Sequence, residues 1–120
     1  MKKRILVVDD DATSRKAVAQ VLTEEGYDAA IAADGAEAAR MLASYRPDLV
    51  LTDLSMPRMD GRGLAERVRS VLPGTPVVMF SGQADLDAPA AVERFGVVAF
   101  LAKPFTFEKL LHQIVAIVGR

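Results

Sequence analysis

Asp9, Asp10, Asp53, Ser81 and Lys103 stand at the ends of short hydrophobic runs: Ile5–Val8, Leu49–Thr52, Val77–Phe80 and Val97–Ala102. Three acids, a hydroxyl and an ammonium delivered to strand ends make a site for Mg²⁺ and one phosphoryl group. Asp53 can attack phosphorus and form an acyl phosphate. Asp9 and Asp10 come within a few ångströms of it if the first and third strands adjoin. Clustered carboxylates raise one another's pKa unless a cation intervenes, and Mg²⁺ takes one or two carboxylates, keeps water and shares phosphate oxygens. Lys103 offers a compact positive charge to a phosphate oxygen or to Asp53 itself, and Ser81 a hydroxyl hydrogen bond. The set suggests a chain that carries phosphate on its own aspartate and changes shape as a result.

The elements that must position these residues follow from the hydrophobic pattern. Runs at Ile5–Val8, Ala29–Ala32, Leu49–Leu51, Val77–Phe80 and Val97–Leu101 read as strands, several of them buried on both faces because they hardly alternate. Helical spacing links Val18, Val21 and Leu22, then Leu64, Val68, Val71 and Leu72, then Phe107, Leu110, Leu111, Ile114 and Val118. Asp34, with Glu37 three residues on, reads as a helix N-cap, and Thr106 caps the last helix. Gly26 and Gly96 sit where helices finish, and Pro47 and Pro73-Gly74 end helical patterns. Pro89 is tolerated in a first turn, so the fourth helix is placed to start near Ala88. Five βα units with short connections imply an α/β, doubly wound parallel sheet; they are too few for an eight-fold barrel. The site of such a sheet lies at the carboxyl ends of its strands, where the five residues fall.

Composition bounds the rest. The 120 residues fit one domain, 1–120. Hydrophobic residues at 51% and charged residues at 26% support a core rather than disorder. A formal net charge of −1 gives no electrostatic argument for nucleic acid or an anionic membrane surface. The absence of cysteine excludes disulfides and thiolate metal sites. The basic start Met1–Arg4 precedes an apolar run that stops at aspartates after Val8, far short of a signal core or membrane span. A soluble, cytoplasmic protein is expected.

In combination, Ile5–Asp11, Asp53-Leu54-Ser55-Met56-Pro57-Arg58-Met59-Asp60-Gly61, Pro76–Gly82 and Phe100-Leu101-Ala102-Lys103-Pro104-Phe105 resemble the receiver domain of bacterial two-component response regulators, the single-domain chemotaxis regulator among them. The resemblance covers essentially the whole chain. It implies a flavodoxin-like (βα)5 fold with strand order 2-1-3-4-5. It also implies that Asp53 accepts phosphate from a sensor histidine kinase or phosphotransfer protein, that Asp9, Asp10 and Asp53 hold Mg²⁺ with the Ser55 backbone carbonyl, and that Ser81 and Lys103 contact the phosphoryl group. Phe100 occupies the switch aromatic position, where tyrosine is common. Ser55 and Gln83 occupy positions that tune phosphate hydrolysis. Ser81 would move toward the phosphate, Phe100 would rotate into the space vacated, and the face of the fourth helix, fifth strand and fifth helix would change shape toward a downstream protein or an output domain outside this chain.

Other residues read plainly. Asp60-Gly61 is a turn with no chemistry assigned. His112 lies on a polar helix face, Met41, Met56, Met59 and Met79 are loop and core fillers, and Phe95, Phe105 and Phe107 pack. Three rivals share parts of the pattern. A phosphohydrolase with an aspartate nucleophile wants a second acid two residues on, where Ser55 stands. A flavodoxin-type cofactor binder wants a phosphate-cradling loop where Asp9-Asp10-Asp11 repels phosphate. A phosphate-independent docking domain leaves the five-residue set without a purpose.

Overall fold

The computed structural model of the chain describes residues 2–82 and 88–120. Strands β1 (Arg4–Val8), β2 (Asp28–Ala32), β3 (Leu49–Asp53), β4 (Val77–Ser81) and β5 (Ala99–Ala102) alternate with helices α1 (Ala12–Glu24), α2 (Gly35–Tyr45), α3 (Gly61–Val71), α4 (Ala88–Phe95) and α5 (Phe107–Val118). All strand pairs are parallel, in the order β2-β1-β3-β4-β5. This is the doubly wound α/β sheet that the resemblance implies.

Each central strand serves both faces, which is why its sequence does not alternate between apolar and polar. Leu6, Val8, Val50, Val77 and Met79 pack with Leu42 of α2, Leu64 and Val68 of α3 and Phe95 of α4. Ile5, Val7, Leu49, Leu51, Val78 and Phe80 turn the other way, onto Val18 and Leu22 of α1 and Leu110 and Ile114 of α5. A fully buried aliphatic or aromatic side chain contributes about 1.5–3 kcal/mol, so two such layers fix the strand register firmly. A slip of one residue would exchange the two faces of every strand.

The helix starts follow the sequence. Asp34 Oδ1 accepts from Glu37 N at 2.8 Å and Thr106 Oγ1 from Lys109 N at 3.1 Å. Asp11 caps α1 by accepting from Thr13 N at 3.0 Å. Gly26 and Gly96 take φ of 96° and 68°, a region open to glycine at little steric penalty.

Three expectations shift. The fifth strand begins at Ala99 rather than Val97: Val97 is buried in the turn after α4, and Val98 contributes a hydrogen bond to Val77 O at 2.9 Å before the ladder starts. Phe107 is 43% exposed at the first turn of α5 rather than packed in the core, and Val71 is exposed at the end of α3. Gln83 lies outside the described residues.

Candidate functional site

Strand register builds the site. Val8 stands beside Thr52, Asp53 beside Phe80, and Ser81 beside Ala102. The residues at or just past the carboxyl ends of four strands are therefore Asp9, Asp53, Ser81 and Lys103, side by side. Backbone hydrogen bonds hold the rim together: Lys103 N to Ser81 O at 2.7 Å, Leu54 N to Phe80 O at 2.9 Å, and Asp9 N to Ala32 O at 3.2 Å.

The three consecutive aspartates divide by position. Asp11 is the cap of α1, and Asp10 is exposed. Asp9 is 1% exposed; its Oδ1 accepts from Asp11 N at 3.0 Å and its carbonyl from Arg15 at 2.8 Å. The other oxygen, Oδ2, is buried and receives no hydrogen bond. Its nearest cation is Lys103 Nζ at 3.7 Å, beyond hydrogen-bond reach.

Asp53 is 9% exposed. Its Oδ2 accepts from Lys103 Nζ at 3.0 Å and its Oδ1 from Ser55 N at 3.4 Å. Burial pushes the Asp53 carboxyl above the ordinary 3.8, outweighing the hydrogen bond and charge of Lys103, and Asp9 pushes the same way. For Lys103 burial acts downward, but the Asp53 hydrogen bond and the charges of Asp53, Asp9 and Asp10 outweigh it, and the ammonium is held above 10.5. Its Nζ also lies 4.8 Å from the Phe80 ring centroid, a cation–π contact. Phe80 in turn meets Phe105 edge-on at 5.6 Å.

Ser81 is 3% exposed at the end of β4, and Ser55 is exposed just beyond Asp53. Phe100 is half-buried against the Leu6–Met79 layer of the core. His112 is exposed, and Met41, Met56, Met59 and Met79 pack in or against that same layer.

These residues suit a divalent cation. Asp9, Asp10 and Asp53 each offer one carboxylate oxygen, all within 4.8 Å of one another. All-oxygen donors suit Mg²⁺. Three carboxylates facing one ammonium leave two negative charges uncompensated, and the buried Asp9 Oδ2 lacks a donor. A dication answers both.

One contributor escaped sequence reasoning. A Cβ on Gly61 would collide with the carbonyl oxygen of Asp53 and meet Leu54 Cα at 3.0 Å. The absent side chain lets the start of α3 close on the end of β3, with Gly61 N donating to Leu54 O at 2.9 Å. The Asp60-Gly61 pair was visible, but a turn signal does not say what the glycine approaches.

Comparison with known proteins identifies the family. Residues 5–115 match the response regulator receiver domain family. Response regulator MprA of Mycobacterium ulcerans (strain Agy99) is 37% identical over 120 residues, all of this chain and 52% of that protein. The chain thus spans about half the length of the curated relatives it matches. Among solved structures, chemotaxis protein CheY4 of Vibrio cholerae superposes with a TM-score of 0.89 at 30% identity, over 98% of this chain and 100% of that one. A CheY-like receiver domain protein from Methanospirillum hungatei JF-1 gives 0.89 at 33% identity, over 97% and 93%. The chain belongs to the response regulator receiver domain family of two-component systems, whose members are signalling domains rather than conventional enzymes.

Proposed function

We propose that Asp53 is the phosphoacceptor of this receiver domain, taking a phosphoryl group from a phosphohistidine on a sensor histidine kinase or phosphotransfer protein. In the transfer an Asp53 carboxylate oxygen bonds to phosphorus, the phosphorus–nitrogen bond to a phosphohistidine ring protonated on its other nitrogen breaks, and neutral imidazole leaves with the electron pair. The observation that carries this reading is the trio of Asp9, Asp10 and Asp53 oxygens within 4.8 Å, with Lys103 Nζ 3.0 Å from Asp53.

Asp9, Asp10 and Asp53 would hold Mg²⁺ with the Ser55 carbonyl, and the ion when bound neutralises the charge that builds on the phosphoryl oxygens. Lys103, already hydrogen-bonded to Asp53, keeps a positive charge beside the carboxylate that becomes phosphorylated. Ser81, at the adjacent strand end, would give its hydroxyl to a phosphoryl oxygen. Beside Lys103, an open groove of about 530 Å³ between α1 and the segment from Pro104 to Phe107 leaves room for a partner to approach.

Phosphorylation adds roughly −1.5 to −2 charge and three acceptor oxygens. Ser81 moves toward them, Phe100 turns inward, and the face of α4, β5 and α5 is remodelled for a downstream protein or an attached output domain. Phosphate must favour one state over the other for this to occur; inverting a 1:99 equilibrium takes a bias of about 10⁴-fold. Residues 1–120 form the receiver unit, acting in the cytoplasm. Among the described residues no helix is long and apolar enough to cross a membrane.

Incubation with Mg²⁺ and acetyl phosphate, or with beryllofluoride, tests the assignment by comparing wild type with Asp53→Ala. Stoichiometric modification of wild type alone supports it. Equal labelling of both proteins overturns it.

A further inference from the structure

The loop between β3 and α3, residues 54–60, carries Ser55 and is tied at both ends to its own frame, by Leu54 N to Phe80 O and Gly61 N to Leu54 O. Two further ties come from a separate element, the start of α2 with its cap Asp34. Gly35 N donates to Met59 O at 3.1 Å, and the Arg58 guanidinium pairs with Asp34 Oδ2 at 3.0 Å. The two backbones are in direct contact: a Cβ on Gly35 would collide with Met59 O.

Arg58 has φ of 66°, a left-handed conformation that residues with a side chain rarely adopt and that persists only where the surroundings enforce it. Asp34 has separate tasks for its two oxygens. Oδ1 caps α2 at Glu37 N, and Oδ2 takes Arg58. The carboxylate is buried while the arginine reaching it is largely exposed. The arginine thus comes down from solvent onto a fixed anchor.

We propose that Asp34 and Arg58 form a positioning clamp for the divalent-cation site, holding the loop so that Ser55 stays beside Asp53. The proposal rests on the reading in which Asp9, Asp10, Asp53 and the Ser55 carbonyl take Mg²⁺. Neither clamp residue belongs to that ligand set. Their effect runs through the loop, whose Ser55 N–H now meets Asp53 Oδ1 at 3.4 Å.

Charge alone predicts a different outcome from the clamp. Removing Arg58 deletes a positive charge and, by simple electrostatics, tightens binding of a cation. Loss of the clamp loosens it. The experiment is Mg²⁺ titration of isotope-labelled wild type, Arg58→Gly, Arg58→Asn, Asp34→Asn and Asp10→Asn, read from the Ser55 and Asp53 amide resonances, with thermal melts in EDTA. Glycine and asparagine accept positive φ, so both Arg58 variants fold, and asparagine at position 34 keeps the cap of α2. The expected result is Mg²⁺ affinity reduced about tenfold in the Arg58 and Asp34 variants, as for groups that orient ligands, with the Arg58→Gly melt in EDTA at or above that of wild type. Unchanged or tighter Mg²⁺ binding by both Arg58 variants overturns the clamp alone. Wild type binding Mg²⁺ no better than Asp10→Asn overturns the metal reading, and the clamp with it.

Discussion

Replacing Lys103 with methionine keeps a flexible apolar stem over Phe80 and deletes the ammonium. In wild type that ammonium lies 3.0 Å from Asp53 Oδ2 and 3.7 Å from Asp9 Oδ2. At an effective dielectric of about 20 the two attractions come to about 5–6 and 4–5 kcal/mol. Desolvating the three charges cancels several kcal/mol per ion, and breaking a buried pair by removing one partner costs about 3–5 kcal/mol net. The Lys103 side chain is 29% exposed, so water screens part of this and about 2–3 kcal/mol is expected. For a domain of this length that lowers the melting temperature by roughly 8–12 °C in EDTA. Mg²⁺ acts the other way. The ammonium competes with a cation for the same oxygens, so the variant should bind Mg²⁺ about tenfold more tightly, equivalent to about 1.4 kcal/mol, and saturating Mg²⁺ should close part of the stability gap. Melting curves in EDTA and across an Mg²⁺ titration measure both effects. Equal stability in EDTA, or weaker Mg²⁺ binding by the variant, refutes the reasoning that Lys103 serves as the resident countercharge of an acid cluster.

Asp53→Asn should abolish modification by acetyl phosphate and remove a pH dependence. Because burial raises the Asp53 carboxyl above 3.8, the folded state binds the proton more readily than the unfolded one, and its contribution to stability falls as pH rises from that value through the folded pKa. Wild type minus Asp53→Asn, melted in EDTA, should therefore show a stability difference that moves against wild type over that window; a difference that moves in its favour contradicts the burial argument. Ser81→Ala should retain phosphate uptake but lose the response of the Phe100 ring resonances to beryllofluoride, and an unaltered response rules out Ser81 as the coupling residue. Gly61→Ala places a Cβ against the Asp53 carbonyl oxygen and should destabilise the domain by about 1–3 kcal/mol, as overpacking does, seen as a lowered urea midpoint; wild-type stability would mean that α3 can withdraw from β3 freely.

What the sequence reveals depends on whether a residue's role is set along the chain or across it. The runs ending in Asp9, Asp53, Ser81 and Lys103 are legible because strands buried on both faces show as unbroken apolar segments, and parallel order then brings their ends together. The caps at Asp34 and Thr106 are local, hence visible. Val97 and Val98 imitate a strand because β-branched residues also fill the turn after Gly96; only the register, with Val78 beside Ala99, shows where the ladder begins. Phe107 and Val71 belong to apolar stripes by period, but a stripe does not mark how far along its helix burial extends. Asp34 with Arg58, and Gly61 with Asp53, are contacts between separate elements, and no periodicity encodes them. The division of Asp9, Asp10 and Asp11 into a buried acid, an exposed acid and a helix cap is likewise decided by register rather than composition.

The direction in which a signal would leave the site follows from what is already held in place. β4 ends in Ser81, and its preceding residues face opposite layers: Met79 packs in the layer with Phe95, Val97 and Phe100, and Phe80 in the layer with Leu110 and Ile114. Phe80 also lies under Lys103 and against Phe105. A pull on the Ser81 and Lys103 ends of β4 and β5 is therefore felt on both faces of the sheet. On the first face the carboxyl end of α4 is fastened. Arg69 of α3 donates to Phe95 O at 3.1 Å and to Gly96 O at 3.5 Å, and Arg62 and Arg94 lie 5.3 and 5.5 Å from the Phe95 ring centroid. Cationic donors on the last carbonyls of a helix stabilise that end. A displacement begun at Ser81 would then find room in β5, the shortest of the described strands, none of whose residues is fully buried. An exchange of Phe100 between outward and inward positions needs space in that same edge of the sheet. β1 from Ile5 onward and all of β3 are buried between the two helical layers, away from that edge.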